Sequence, residues 1–279
     1  MAFSTDTLGL NDSAFALLRD LIHERTGLYY GTGKNDLLAD KLSTLVIERG
    51  FSSFLDYYYL LKYDPEAGNE WLRVLDALSV QETYFWREMD QIHAVVDVLV
   101  PQHFSYSRGL PLRIWSAACA TGEEPLTIAM ALSEKGWLDR APIEIYASDA
   151  SKSAIERARR GVYRERSFQR LEPRLQEKYF LPEDGHWRVQ PRLRSRIRWS
   201  VANLALESDV SQLATASIIL CRNVFIYFSR ESICRTLKVF SRQMPTPGHL
   251  LVGASESLLK LTTEFDFQEI GGAFVYVKT

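Results

Sequence analysis

The stretch IWSAACATGEEPLTIAMAL, residues 114–132, passes from an apolar run through a group of small side chains into two glutamates and an apolar helical pattern. It reads as a strand, a tight turn and a helix. Ser116 to Thr121 are all small, so the backbone can approach a ligand there as a glycine-rich turn would. Gly122 opens the helix, and Pro125 falls in its first turn, where a missing N–H does no harm. Open parallel sheets bind ligands beyond the carboxyl ends of their strands, where the strand order reverses. Glu123 and Glu124 stand where a pyrophosphate would require bare N–H groups and no negative charge. The turn therefore disfavours a phosphate dinucleotide and prefers a cationic ligand.

Outward from this turn the rhythm of strand, turn and helix continues. Further strands are expected at 142–149, 197–204, 216–223 and 248–255, beside 112–118, with helical stretches between most of them. Near-continuous apolar strands spaced in this way indicate an α/β fold with a parallel sheet covered on both faces. The Gly271-Gly272 pair between two extended runs predicts a terminal hairpin. Between about 162 and 200 the pattern breaks, and HWRVQPRLRSRIRW (186–199) suggests short arginine-rich strands in a small inserted antiparallel β lobe. Before residue 86 the chain reads as helices. Asn11 or Asp12 caps the first, whose stripe is Phe15, Leu18 and Ile22, and Gly27 ends it. Residues 35–50 repeat the pattern with Leu37, Leu38, Leu42, Leu45 and Val46, and two more helices flank Asp64-Pro65. The expected organisation is an all-helical domain and linker over 1–86 and a sheet domain over 87–279.

Composition narrows the class. With 46% hydrophobic and 24% charged residues, the 279-residue chain is globular in type. It shows no 18-residue apolar run and no signal-peptide pattern, so direct membrane insertion is not expected and a cytoplasmic location is. Cys119, Cys221 and Cys234 lack metal-ligand spacing and are odd in number, which speaks against a zinc site or a disulfide framework. The net charge of −2 hides an asymmetry. Residues 1–70 hold six basic against eleven acidic side chains, whereas residues 157–198 hold thirteen basic against five acidic. A cationic surface attracts anionic partners. No zinc-finger spacing, basic zipper or RNP-type strand accompanies it, so nucleic acid is not the expected partner.

Asp149 ends the second strand, where such sheets place a carboxylate that accepts hydrogen bonds from both ribose hydroxyls. Taken singly, such acids also fit helix-dipole compensation or capping. Together they describe a pocket for a cationic nucleoside without phosphate, and S-adenosylmethionine fits that description.

Five segments then carry a resemblance: SVQETYFWRE (79–88), WSAACATGEEP (115–125), ASDAS with AIERARRGVY (147–163), ANL (202–204) and LCRNVFIYFS (220–229). In this order they resemble the signatures of the CheR chemotaxis receptor methyltransferases, and the likeness spans nearly the whole chain. The resemblance implies a class I S-adenosylmethionine-dependent methyltransferase sheet, Rossmann-like, behind an all-helical N-terminal domain. It implies a methyl donor that leaves as S-adenosylhomocysteine, and a glutamate on the acidic helical cytoplasmic region of a chemoreceptor as acceptor, with the enzyme acting as a monomer. Carried over residue by residue, it assigns donor binding to Gln81, Thr83, Arg87, Glu123 or Glu124, Asp149, Asn203, Leu204, Arg222 and Asn223. Arg87 and Tyr227 would lie nearest the transferred methyl. Without the resemblance, Tyr227 in the apolar run VFIYF would read as a core aromatic.

A carboxylate acceptor with a pKa of about 4.3 is ionised at neutral pH and needs no general base. None of the five histidines, His23, His93, His103, His186 and His249, falls within the motifs. Two departures stand out. Gln81 replaces an asparagine common in the family, and the second helix keeps only Lys41 along its middle, with Thr44, Leu45 and Ile47 where relatives are often basic. Arg188, Arg192, Arg194 and Arg196, alternating along extended chain, would instead offer a basic face to an acidic helix. The short LPEDGHW loop (181–187) predicts no grip on a receptor's tether peptide. Two alternatives remain at this stage: a small-molecule methyltransferase, and a non-catalytic regulator that binds S-adenosylmethionine.

Overall fold

The computed structural model describes residues 8–107 and 109–278. The N-terminal part folds as α1 (Asp12–Thr26), α2 (Asn35–Glu48), α3 (Phe54–Tyr63) and α4 (Gly68–Leu78). The Asn11 side chain accepts from the Ala14 N–H at 2.9 Å and caps α1, while Gly27 closes it at φ +77°. The apolar stripes of the sequence become the bundle core, with Leu18, Ile22, Leu38, Leu42 and Val46 fully buried. Leu37 does not join them and stays exposed. Tyr57 is also buried and donates to Glu70, a carboxylate inside the bundle that Arg49 and Arg73 neutralise. Burial pushes the Glu70 carboxyl up, but hydrogen bonds from Arg49 and Tyr57 outweigh it and hold the group below its usual range.

The linker is pinned by one aromatic side chain. Phe85 is fully buried and its ring lies 4.9–5.0 Å from those of Tyr163, Phe168 and Phe180. Its N–H donates to Ser167 O at 2.9 Å, and Trp86 and Glu88 both take left-handed backbone angles. The chain then runs through α5 (Met89–His93), a π-helical turn (Ala94–Leu99) and α6 (Val100–Tyr106), a region the sequence reading leaves unassigned.

The remainder follows as β1 (Leu112–Ala117), α7 (Glu123–Glu134), α8 (Trp137–Arg140), β2 (Ile143–Asp149), α9 (Lys152–Arg160), β3 (Val162–Tyr163), α10 (Pro173–Tyr179), β4 (Phe180–Glu183), β5 (His186–Val189) and α11 (Pro191–Arg194). It closes with β6 (Ile197–Val201), α12 (Glu207–Val210), β7 (Ile218–Cys221), α13 (Arg230–Gln243), β8 (Gly248–Val252), β9 (Asp266–Ile270) and β10 (Ala273–Lys278). The described residues form a seven-stranded sheet in the order β6-β2-β1-β7-β8-β10-β9. β6, β2, β1, β7 and β8 are parallel, and the β9-β10 hairpin turns at Gly271-Gly272 and adds antiparallel strands at one edge. Strand order reverses between β1 and β7, which makes the carboxyl ends of these strands the ligand-binding crevice of such a sheet.

The inserted lobe is a three-stranded antiparallel sheet in the order β3-β5-β4, but its arginines are not arranged as expected. Only Arg188 lies on a lobe strand, where it pairs with Glu183. Pro191 starts the short helix α11, so Arg192 and Arg194 do not alternate along extended chain. Arg194 donates to the carbonyls of Arg159 and Arg160, and Arg196 lies 3.6 Å from Asp139. Three of the four are thus occupied with the protein itself. Residues from 197 onward belong to the large sheet, so the lobe ends earlier than expected. Among the described residues, no helix is long and apolar enough to cross a membrane.

Candidate functional site

A cavity of about 390 Å³ opens at the strand-order reversal. Its floor comes from the ends of β1, β2, β6 and β7, through Ala118 to Ala120, Asp149, Ala202 to Leu204, and Arg222 with Asn223. Its cover comes from the linker and the helical domain, including Tyr29, Tyr30, Lys34, Lys41 and residues 79–84. Its size lies within the ordinary range of small-molecule sites, roughly 300–1,000 Å³.

The bare turn of the sequence has a geometric reason. Ala118, Ala120 and Gly122 all take positive φ, at 54°, 48° and 94°, a path that side chains larger than alanine resist. Gly122 has a second constraint, because a Cβ there would lie 2.8 Å from the Trp199 ring and 2.9 Å from the Ala158 methyl. The turn is fastened by Asp149. One carboxylate oxygen accepts from Ala120 N at 2.9 Å and the other from Ser151 N at 2.8 Å. Burial raises the Asp149 carboxyl above its usual range in spite of these bonds. Each oxygen keeps a lone pair for a further donor.

The structure separates the two adjacent glutamates. Glu124 lines the cavity, accepting from Ser116 Oγ at 2.6 Å and facing Arg222 Nη1 at 3.2 Å. Glu123 lies outside the lining, held by the Thr121 hydroxyl at 2.7 Å and the Ser167 hydroxyl at 2.9 Å. Burial pushes both carboxyls up. The expectation of an acidic pair facing the ligand is therefore corrected: one acid faces it, and that acid already meets a cation. The lining as a whole carries Glu82, Glu124 and Asp149 together with Lys34, Lys41, Arg87 and Arg222.

Arg222 belongs to this wall although its side chain is only 2% exposed. Its guanidinium reaches Glu124, Glu88 at 3.2 Å and the Arg87 carbonyl at 2.9 Å, and its Nε is buried without a partner. Arg87 donates to Glu82 O at 3.1 Å and lies over the Tyr84 ring, 5.5 Å from its centroid. Tyr227 ends a 3₁₀ turn (Phe225–Tyr227), is 38% exposed and lines the cavity, so it is not a core aromatic. Thr83, Leu204 and Asn223 also line it. Gln81 and Asn203 do so with their side chains engaged elsewhere. Gln81 Nε2 donates to Ser151 Oγ at 3.0 Å, and Asn203 Nδ2 donates to Arg25 O at 2.8 Å.

Sequence reasoning missed the loop TGLYYGTGK (26–34), which brings Tyr29, Tyr30 and Lys34 to the cavity. The available signal was its three glycines around two tyrosines. Burial raises the Tyr30 hydroxyl to about 12, so it remains a hydrogen-bond donor at neutral pH. Lys41, the one cation along the middle of α2, donates to the Ala77 and Leu78 carbonyls at 3.3 Å, and burial lowers its pKa. The exposed side of α2 carries Asp36, Asp40 and Glu48.

The donor expected from the sequence fits these residues. Asp149 offers free lone pairs at a strand end, the turn admits close approach, and Arg222 Nε is an orphaned buried donor beside the cavity. Comparison with known proteins adds an independent line. A family described as CheR methyltransferase, all-alpha domain, matches residues 13–79, and one described as CheR methyltransferase, SAM binding domain, matches 81–273. The chain is 30% identical to chemotaxis protein methyltransferase 2 of Vibrio cholerae over 96% of its own length and 94% of that protein. It is 31% identical to the chemotaxis protein methyltransferase of Escherichia coli, over 94% of this chain and 90% of the other. For the Salmonella typhimurium protein of the same name the identity is 30%, over 95% and 90%. Both matches and the cavity between the two matched regions lead to one conclusion: the chain belongs to the CheR methyltransferase family and is an S-adenosylmethionine-dependent enzyme.

Proposed function

We propose that the protein methylates glutamate side chains in the acidic helical cytoplasmic region of a chemoreceptor-like protein, forming methyl esters, and that it acts in the cytoplasm. The names of its relatives support the receptor as acceptor. The observation that carries the reading is the cavity lining, which holds the cations Lys34 and Arg87 as well as Tyr227. Such a wall favours an anionic acceptor over a neutral or cationic one.

When bound, S-adenosylmethionine would supply a methyl group on a cationic sulfur: an ionised carboxylate oxygen would bond the methyl carbon as the carbon–sulfur bond breaks and neutral S-adenosylhomocysteine leaves. No proton has to be removed, so the side chains need only bind, orient and exclude water. Asp149 holds the ribose and Glu124 the cationic end of the donor, while Thr83, Leu204, Asn223 and Arg222 complete its surroundings. Arg87, with a planar fork of donors, holds one acceptor oxygen and leaves the other free. The Tyr227 hydroxyl donates a hydrogen bond that fixes the same carboxylate. Gln81 and Asn203 act by holding the two domains around the donor.

The test is transfer of labelled methyl from the donor to chemoreceptor-bearing membranes, followed by mild alkali. Release of the label as methanol is expected, because carboxyl esters hydrolyse in base and N-methyl groups do not. Label that survives alkali, or label found only on small molecules, would refute the assignment. Exchange of Arg87 for lysine should lower the rate by about 10-fold or more through loss of the planar guanidinium that orients the acceptor carboxylate.

A further inference from the structure

The loop that carries Tyr227 is held by a residue outside every motif singled out in the sequence. Glu256 follows β8, in a turn closed by its own N–H donating to Gly253 O at 2.8 Å. Its carboxylate reaches back to the end of β7. One oxygen accepts from Asn223 N and from Gly253 N, both at 2.7 Å, and the other accepts from Ile226 N at 3.2 Å. Asn223 takes a left-handed backbone at φ +59°, and the 3₁₀ turn Phe225–Tyr227 starts two residues later. The amide donors of a helical turn's first residues have no partner within the turn. Glu256 supplies one for Ile226, immediately before Tyr227.

The neighbouring glycine shows how closely the two strand ends approach. A Cβ on Gly253 would lie 2.9 Å from Asn223 N and 2.6 Å from Asn223 Nδ2. Two further bonds fix the turn after this clamp: Tyr227 N donates to Val224 O at 3.0 Å, and Tyr29 N donates to Tyr227 O at 2.9 Å. The Tyr227 backbone is therefore held from the helical domain on one side and, through Ile226 and Asn223, by Glu256 on the other.

We infer that Glu256 is a positioning residue for methyl transfer, a carboxylate clamp that sets the turn from which Tyr227 reaches the acceptor. It touches neither donor nor acceptor and acts through Tyr227. The inference rests on the role given to Tyr227 above. A charged acceptor shared among backbone N–H groups makes bonds roughly twice as strong as neutral ones, and misplacement of a reactive group by about 1 Å can cost on the order of 100-fold in rate.

The test is a cycle of Glu256→Gln, Tyr227→Phe and the double variant, with methyl transfer measured at saturating donor and receptor. Glutamine keeps the length but turns an N–H₂ toward backbone N–H groups. Its expected effect is a kcat lower by about 10- to 100-fold. The double variant should be no slower than the slower single one, because both act through one hydroxyl. Losses that multiply would overturn the inference, and so would a loss that merely tracks the folded fraction. Hydrogen exchange gives a readout independent of activity. The amides of Asn223, Gly253 and Ile226 should be protected in the wild-type protein and exchange faster in the Gln variant; unchanged exchange would overturn the clamp. If that variant does not fold, Glu256→Asp, which keeps the charge with a shorter reach, should give an intermediate rate and intermediate exchange, and wild-type values for both would refute the clamp. Failure of the wild-type protein to methylate any receptor, with the three amides still protected, would instead refute the functional reading.

Discussion

Gly122 offers the sharpest test of the donor turn, because strain and crowding can be separated there. It begins α7 at φ +94°, and Gly136 follows the same helix at φ +71°. Alanine at either site would be forced into a left-handed conformation at about 1–2 kcal/mol. Either change would also reduce the freedom of the unfolded chain, a gain of about 0.4–1 kcal/mol. These contributions are common to both sites. The difference lies in space: nothing approaches within 4 Å of a Cβ at Gly136, whereas one at Gly122 meets the Trp199 ring at 2.8 Å and the Ala158 methyl at 2.9 Å. Trp199 is partly buried and Ala158 fully so. Neither is the loose end of a flexible chain. Overpacking of this kind costs about 1–3 kcal/mol. At about 2 °C per kcal/mol for a chain of this size, Gly122→Ala should melt about 2–6 °C below Gly136→Ala, by calorimetry or circular dichroism. Donor affinity should fall in the first variant and hold in the second. Melting points within a degree of each other would mean that the turn is not confined between α9 and β6, and the account of its small residues would be wrong.

Two further outcomes follow from the buried charges. Replacing Arg222 by leucine leaves Glu124 and Glu88 facing each other without their shared cation. Denaturant titration should show a loss of about 3 kcal/mol, partly restored by adding Glu124→Gln; a loss below about 1 kcal/mol would sink the idea that the buried Arg222 holds the two partly buried glutamates together. Burial raises the folded-state pKa of Glu123 above its unfolded value, so the folded protein binds more protons than the unfolded one above the ordinary carboxylate range, and this residue's contribution to stability falls as pH rises through the raised pKa. Glu123→Gln removes that penalty, and the Thr121 and Ser167 hydroxyls can rotate to accept from the amide. The melting temperature of the variant relative to wild type should therefore climb as pH rises above the ordinary carboxylate range toward neutrality, whereas a flat difference would refute the burial argument.

The elements legible in the sequence were those fixed by local rules. The run 114–132 announced β1, its turn and α7 because small residues, glycine and an early proline each suit one backbone conformation. Asn11 and Gly27 bounded α1 for the same reason, and Gly271-Gly272 marked the hairpin. What the sequence withheld depends on which way a side chain faces in three dimensions. Adjacent residues on a helix point about 100° apart, so one of Glu123 and Glu124 had to turn from the cavity, and only the position of the lobe, with Ser167 on it, shows which. Lys41 could have faced solvent, but α4 ends beneath it with unsatisfied carbonyls. The arginines of 188–196 looked like a strand face until Pro191 opened a helix among them. Tyr29 carried no periodic signal, since its place in the site comes from contact with Tyr227, some two hundred positions away.

The side chains of Gln81 and Asn203 show how the two domains share one site. Both are expected from the resemblance to bind the donor, and the amide nitrogen of each also makes a bond between the sheet domain and the linker or helical domain. Ser151, which accepts from Gln81, also donates to Asp76 of α4 at 2.6 Å, and its own N–H is held by Asp149. The carboxylate suited to the ribose thus lies two hydrogen bonds from the end of the helical bundle. On the other side of the cavity, His23 of α1 meets Ser229 at 2.7 Å, and Leu28 bridges to Phe228, next to Tyr227. Gly27 is required there, since a Cβ would strike the Phe228 ring at 2.9 Å. The helical domain is therefore fastened at both the Asp149 end and the Tyr227 end of the cavity. A substitution at Gln81 or Asn203 should loosen this seam, because the bonds to Ser151 and to Arg25 O that tie the sheet domain to the linker and the helical domain would be lost.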